Sequence, residues 1–284
     1  MRGWLALAAL MSFMVSTAAT ASCTSGSVSP MALGTYTGAQ STAGATSNSV
    51  TCPNGTAFTI GLNNGTGTGA TATNRQMTLG AATLSYRLFQ DAAGTLNFGN
   101  IGGSDVLSGT GTGTSQPFTI YPLIPSGQFV APGTYVDTIT ASAADSGTIS
   151  GTFTVTATVQ AACALSATPL AFGTYAGVLS NSSSTLTITC TNSTTYNIGL
   201  SAGLATGATV TNRSMTGPAS ALLGYKLFSN SGHTTNWGNT VGTDTVAGTG
   251  SGAAQPLTVY GQIPGGQSAR PGSYADTIIA TITY

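Results

Sequence analysis

Nearly the whole chain is written twice. Met31-Ala-Leu-Gly-Thr-Tyr36 returns as Leu170-Ala-Phe-Gly-Thr-Tyr175, Val50-Thr-Cys52 as Ile188-Thr-Cys190, and Ile60-Gly-Leu62 as Ile198-Gly-Leu200. Thr73-Asn-Arg-Gln-Met-Thr78 returns as Thr211-Asn-Arg-Ser-Met-Thr216, and Leu84-Ser-Tyr-Arg-Leu-Phe89 as Leu223-Gly-Tyr-Lys-Leu-Phe228. Asn97-Phe-Gly-Asn100 pairs with Asn236-Trp-Gly-Asn239, and Gln116-Pro-Phe-Thr-Ile-Tyr121 with Gln255-Pro-Leu-Thr-Val-Tyr260. Pro132-Gly-Thr-Tyr-Val-Asp-Thr-Ile139 pairs with Pro271-Gly-Ser-Tyr-Ala-Asp-Thr-Ile278. The offset stays at 138 or 139 positions. A period of that length is a whole domain rather than a solenoid unit. The chain therefore carries two copies of one fold, here called copy one and copy two.

Each copy reads as all-β. Phe118-Thr-Ile120 and Leu257-Thr-Val259 alternate apolar with polar residues, as half-buried strands do. Tyr135, Ile139 and Ala141 share one strand face, as do Tyr274, Ile278, Ala280 and Ile282. Asn64-Gly65, Gly102-Gly103, Pro132-Gly133, Gly265-Gly266 and Pro271-Gly272 mark turns between the runs. About seven short strands in roughly 120 residues predict an immunoglobulin-like β-sandwich for each copy. Tyr135 and Tyr274 stand where such sandwiches place a corner tyrosine.

Charge is nearly absent. Six Lys plus Arg balance six Asp, Glu is missing, and only 4% of residues are charged, against about 25% in ordinary domains. A net charge of zero leaves no basic footprint for nucleic acid. Helical bundles and coiled coils need Glu and Lys at helical spacing. Disorder needs low hydrophobicity and high charge, whereas 41% of this chain is apolar. One His is poor equipment for acid–base chemistry, and it excludes a Ser-His-Asp triad from copy one. A paired-carboxylate glycosidase is not expected. No enzyme activity and no cofactor are implied.

The first residues read as a signal peptide over 1–21. Arg2 is the positive start, an apolar run from Trp4 to Val15 follows, and Ala19-Thr20-Ala21 sets cleavage before Ser22. Export makes the four cysteines readable as disulfides. The repeat selects Cys23–Cys52 and Cys163–Cys190 from the three possible connectivities, and metal-site C-x-x-C spacing is absent. Domains are expected at 22–160 and 161–284.

The repeated G-T-Y-x-G after the first cysteine, the T-C ending a strand, T-N-R-x-M, N-[FW]-G-N and the terminal P-G-[TS]-Y-x-D-T-[IV] resemble the spore coat protein U domain, twice over nearly the whole mature chain. That resemblance implies subunits of archaic chaperone–usher pili, surface fibres of Gram-negative bacteria used in biofilm formation. It implies a pilin-type sandwich lacking its last strand. A periplasmic chaperone supplies that strand first and an adjacent subunit's N-terminal strand replaces it, with an outer-membrane usher in the assembly path.

The two copies differ against this background. Copy two stops at Tyr284, the last residue of the strand carrying Tyr274, Ile278, Ala280, Ile282 and Tyr284, so its groove is expected to stay open. An open sheet edge is an aggregation hazard, and strand addition from a partner is the remedy. In copy one a turn at 144–147 leads into a second alternating run. Phe153, Val155, Ala157 and Val159 alternate with Thr, and this run is expected to complete copy one in cis. One residue before Cys23 leaves no strand to donate. The chain is therefore expected to be the tip subunit of a surface pilus and its adhesin, exported through the periplasm and mediating attachment and biofilm formation. The alternative is a structural coat or surface-layer protein without a receptor role.

The adhesive pole of copy one is expected at 53–56, 91–104 and 144–148. Leu96, Phe98 and Ile101 are its apolar candidates; the surface or ligand is unknown. Phe129-Val130 is expected near copy two. His233 reads as a surface imidazole in a polar loop. Asp137 and Asp276 are expected to be partly buried, with Arg75 and Arg213 as ion-pair partners in a structural role. The glycine-rich runs 65–69 and 109–113 lack the Lys and helix of a phosphate loop and read as turns.

Overall fold

The computed structural model describes residues 22–145 and 148–284. The expected signal peptide, and Ser146 and Gly147 of the expected turn, lie outside the described residues. Copy one contains β1 (Thr24–Ser25), β2 (Met31–Tyr36), β3 (Thr46–Thr51), β4 (Ala57–Leu62), β5 (Arg75–Leu79), β6 (Ala82–Phe89), β7 (Leu107–Thr110), β8 (Ser115–Leu123), β9 (Gly133–Ala144) and β10 (Thr148–Val159). Copy two contains β11 (Cys163–Ala167), β12 (Ser180–Cys190), β13 (Thr195–Leu200), β14 (Arg213–Thr216), β15 (Leu222–Phe228), β16 (Val246–Thr249), β17 (Gln255–Ile263) and β18 (Ala280–Thr283). These outnumber the expected seven per copy because short edge pieces such as β1 and β7 pair as well.

Both copies are two-layered. In copy one, β1-β3-β8-β6-β5 forms one layer and β7-β4-β9-β10-β2 the other, joined where Thr78 of β5 pairs with Val136 of β9. In copy two the first layer recurs as β11-β12-β17-β15-β14, but the second is only β16-β13-β18. Between the layers of copy one, Tyr36, Met77, Tyr86, Phe98, Ile120, Tyr135 and Ile139 are fully buried. Burying each such side chain contributes roughly 1.5–3 kcal/mol. The corner tyrosines close as expected: Tyr135 donates to Ala131 O at 2.8 Å and Tyr274 to Arg270 O at 3.0 Å.

The strand expected over 274–284 is shorter than its pattern. Only Ala280–Thr283 is ladder-paired, with β13, although Ala275 bridges to Thr216. Its counterpart β9 is continuous because β10 pairs with it along its whole length, from Thr148↔Ala144 to Val159↔Gly133. The same dependence governs Met31–Tyr36, which is strand β2 through its parallel pairing with β10. The matching residues 170–175 form no strand. A ladder needs a second chain segment, whatever the propensity of the first.

Two polar expectations are corrected. Arg75 does not reach for Asp137; it donates to the carbonyls of Asn63 (2.8 Å), Ala72 (2.8 Å), Leu62 (3.0 Å) and Phe98 (2.7 Å). Arg213 repeats this with Ser201, Val210, Leu200 and Trp237. A guanidinium has five donors in a fixed fork, and here the fork matches the carbonyls of three converging segments. His233 is half-buried rather than a surface imidazole. Its ring meets Phe228 and Tyr260 edge-on at centroid distances of 5.4 and 6.1 Å.

The copies meet end to end. Asn192 N–H of copy two donates to Phe129 O of copy one at 2.9 Å, at the pole where Phe129 was expected.

Candidate strand-accepting groove

In copy one the groove is filled. β10 lies antiparallel to β9 and parallel to β2, with Phe153 opposite Ile139, Val155 opposite Asp137 and Met31, and Ala157 opposite Tyr135. Phe153, Val155, Ala157 and Val159 are all buried in the core cluster. Under this lid Tyr135 and Ile139 have no exposed surface, and Met31, Leu33 and Tyr36 have 1% each. The disulfide Cys23–Cys52 pins the adjoining edge, with a Cα–Cα distance of 4.0 Å. Cys163–Cys190 does the same in copy two.

In copy two, no strand among the described residues occupies the equivalent place. A groove of about 430 Å³ runs between 167–172 and 274–280, floored by Leu186, Leu200, Met215, Tyr225, Leu227 and Val259. Tyr274, Ile278 and Ala280 line it, half-buried where their counterparts are buried. Ile282 packs on the same core. Tyr284 does not belong to the groove wall; it lies past the end of β18 with 58% of its surface exposed. The opposite lip is held without a ladder, because Tyr175 donates to Pro264 O at 2.8 Å, as Tyr36 does to Pro125 O at 2.7 Å.

A polar cluster supports each groove. Asp137 accepts from Thr66 N (2.7 Å), Thr66 Oγ1 (2.8 Å), Thr138 N (2.7 Å) and Tyr86 OH (2.7 Å). Asp276 accepts from Leu204 N and Thr277 N, both at 2.8 Å, and Tyr225 OH at 2.7 Å. Burial, reinforced by the neighbouring carboxylate, pushes the Tyr86 and Tyr225 hydroxyls well above their ordinary range. Burial draws the Arg75 guanidinium down to about 10, and Arg213 in the same direction. Arg75 therefore stays charged at neutral pH. Every buried polar group named here has a partner, which is the condition for keeping it in a core. The cluster anchors loops; Asp137 is buried in copy one, whereas Asp276 is half-buried and lines the open groove of copy two.

Leu170, Phe172 and Leu186 belong to the site but were not among the residues that the sequence pattern singled out for it. Their signal was present: Leu170 and Phe172 stand where Met31 and Leu33 stand, and Leu186 replaces Asn48, a buried polar residue of copy one.

The three adhesive candidates do not form one surface. Leu96 is 58% exposed, on a loop fixed by its own N–H donating to the Asp91 carboxylate at 2.7 Å. That hydrogen bond, foremost, lowers the Asp91 pKa. Phe98 is a correction: it is fully buried, edge-on to Phe118 at 6.3 Å, and cannot touch a ligand. The turn needs an apolar plug there, as Trp237 supplies in copy two. Ile101 is half-buried, its backbone so close over Gly61 that a Cβ there would lie 2.3 Å from Ile101 N.

Both the sequence and the fold have counterparts among known proteins. Protein U of Myxococcus xanthus is 39% identical over 128 residues, which cover 40% of this chain and 71% of that protein. A chain of the CsuC-CsuE chaperone-tip adhesion subunit pre-assembly complex, from archaic chaperone-usher Csu pili of Acinetobacter baumannii, superposes with a TM-score of 0.54 at 15% identity. That match covers 93% of this chain and all of the other, and shows the shared fold. The CupB6 tip adhesin from Pseudomonas aeruginosa is matched over 93% of this chain and 95% of its own, at 13% identity and a TM-score of 0.33. The Spore Coat Protein U domain pattern matches residues 9–142 and again 149–281. Its second match opens inside β10, so the family pattern counts with copy two a segment that the fold builds into copy one. The chain belongs to the Spore Coat Protein U domain family.

Proposed function

We propose that this protein is a non-enzymatic pilus subunit completed by donor-strand exchange, with copy one as a self-complete distal domain and copy two as the domain that joins the fibre. One observation carries the reading. Two copies of one domain differ by one added segment and the pairing that it brings: β10 fills the groove of copy one and makes Met31–Tyr36 a strand, and the matching groove of copy two is open. Main-chain hydrogen bonds and alternating side-chain pockets are the physics of strand addition, and an unpaired edge beside an apolar groove demands an occupant. A unit closed at one pole and strand-accepting in its other domain fits the end of a fibre. The fold shared with a chain of the A. baumannii tip-subunit complex supports that position. In this reading a periplasmic chaperone covers the groove in transit, an outer-membrane usher passes the subunit on, and an adjacent subunit donates the final strand. The protein then stands at the pilus tip on the cell surface and attaches the cell, as biofilm formation requires.

Separate expression of residues 22–160 and 161–284 tests this. The first is expected as a folded monomer; the second is expected to associate unless given a donor peptide. Equal behaviour of the halves removes the reading. For adhesion, Leu96 remains the accessible apolar candidate. Leu96→Asp is expected to lower surface attachment several-fold without changing assembly, and unchanged attachment removes Leu96 from the role. The Spore Coat description of the family favours a second reading, a coat or surface-layer protein without a receptor. Immunogold labelling of intact cells separates the two: label at fibre ends supports the tip, and a uniform layer supports the coat.

A further inference from the structure

Copy one is a filled reference for the empty groove of copy two, and any rule read from it rests on the proposed completion of copy two by a strand from another chain. The acceptor lip is already shaped for that strand. Between Thr156↔Ala32 and Thr158↔Thr35 the β10–β2 ladder carries a bulge, so the single residue Ala157 opposes Leu33 and Gly34. Gly34 adopts φ +74°, a conformation that favours glycine. Gly173 of copy two adopts φ +72° with no strand paired to it. The bulge is thus present before the occupant is.

The walls then set the size of each inward side chain. Large Phe153 sits opposite Ile139, whose counterpart is Ile278, and β-branched Val155 opposite Asp137 and Met31, whose counterparts are Asp276 and Leu170. Small Ala157 sits opposite Tyr135 and the bulge. Copy two keeps that tyrosine as Tyr274 and replaces Leu33 by Phe172, whose ring stands edge-on to Tyr225 at 6.0 Å and lies over Gly261, where copy one has Pro122. At the other end, Gly151 sits opposite Ala141, and a Cβ there would meet Val28 Cγ2 at 3.0 Å. In copy two Ala167, rather than a valine, lines the groove together with Ala280.

We propose that copy two selects its donor by side-chain size along one strand that runs parallel to 170–175 and antiparallel to 274–284. The donor has a large apolar residue opposite Ile278, a β-branched one opposite Asp276, and only Ala or Gly opposite Tyr274 and the Phe172-Gly173 bulge. Opposite Ala280 it carries a side chain, where in copy one Gly151 stands close against Val28.

The test extends the full chain beyond Tyr284 by Ser-Gly and a second copy of the β10 sequence, mirroring the path from β9 to β10. The expected product is a monomer whose copy-two unfolding transition rises by on the order of 10 °C. Replacing the tail residue equivalent to Ala157 by Leu is expected to abolish the rise. Replacing the tail residue equivalent to Gly151 by Val is expected to keep or enlarge it, whereas Gly151→Val in native β10 lowers the copy-one transition. A Leu tail as effective as the Ala tail overturns the size rule. So does a plain tail that fails while a strand with a different size order succeeds, and then completion in trans still stands. If no appended strand stabilises copy two, the completion reading falls as well.

Discussion

Arg75 and Arg213 are among the largest fully buried side chains, in a protein with twelve formal charges among 284 residues. Each ties together carbonyls that no ladder satisfies, so each does for a loop junction what a strand does for an edge. Removing one leaves several buried acceptors without donors. Arg75→Met is therefore expected to destabilise copy one by about 3–5 kcal/mol, read by denaturant unfolding. Tyr86→Phe strips the Asp137 carboxylate of a charge-assisted bond and should cost about 1.5–3 kcal/mol. The tyrosines also set an alkaline limit. Their folded pKa lies above the unfolded value of about 10, so their contribution is full below that pH and is lost as pH rises past it. Arg75 works the opposite way, since its burial penalty fades between about 10 and 12.5, and offsets part of the loss. Stability should thus decline above pH ~10, and Tyr86→Phe should flatten the decline. A steeper decline in the variant would contradict this. The sequence marked these residues through their repetition, yet not their partners. Arg, Asp and Tyr recur at fixed spacing, but which oxygen a guanidinium meets depends on where three loops converge.

At the scale of elements, β10 decides the fate of its neighbours. Strict alternation from Phe153 to Val159 was legible, as was a buried face. That this segment also turns Met31–Tyr36 into a strand was not, because a propensity is local and a ladder is not. The same hexapeptide pattern is paired in copy one and unpaired in copy two. Phe153→Ala should therefore do more than open a cavity. The expected loss is about 3–5 kcal/mol in copy one, with β2 loosening alongside it, seen as faster amide exchange at 31–36. Exchange unchanged at those residues would uncouple the two strands. The disulfides act on the unfolded chain instead. Replacing Cys23 and Cys52 together by Ala should lower stability by about 3.5 kcal/mol in the loop-entropy account, leaving copy two unaffected.

The whole molecule is two similar sandwiches of unequal completeness, linked by the main-chain hydrogen bond from Asn192 to Phe129. It should unfold in two transitions, copy one at the higher temperature, and a donor strand should raise only the lower one. A single transition, unmoved by the strand, would contradict that asymmetry. With so few charges, assembly and attachment should differ little between about 0.05 and about 0.5 M salt, since there is little long-range field to screen.

The sequence by itself determined the tandem repeat, the all-β class, the cysteine pairing that the repeat selects and the alternation of β10, because each rests on local pattern and spacing. The tertiary structure decided the rest. It buried Phe98, turned the arginines toward carbonyls, left Leu96 exposed, and made one copy of a motif a strand and the other a vacant lip. Those outcomes depend on which segments meet in space, and two nearly identical stretches of sequence carry no record of whether a third lies between them.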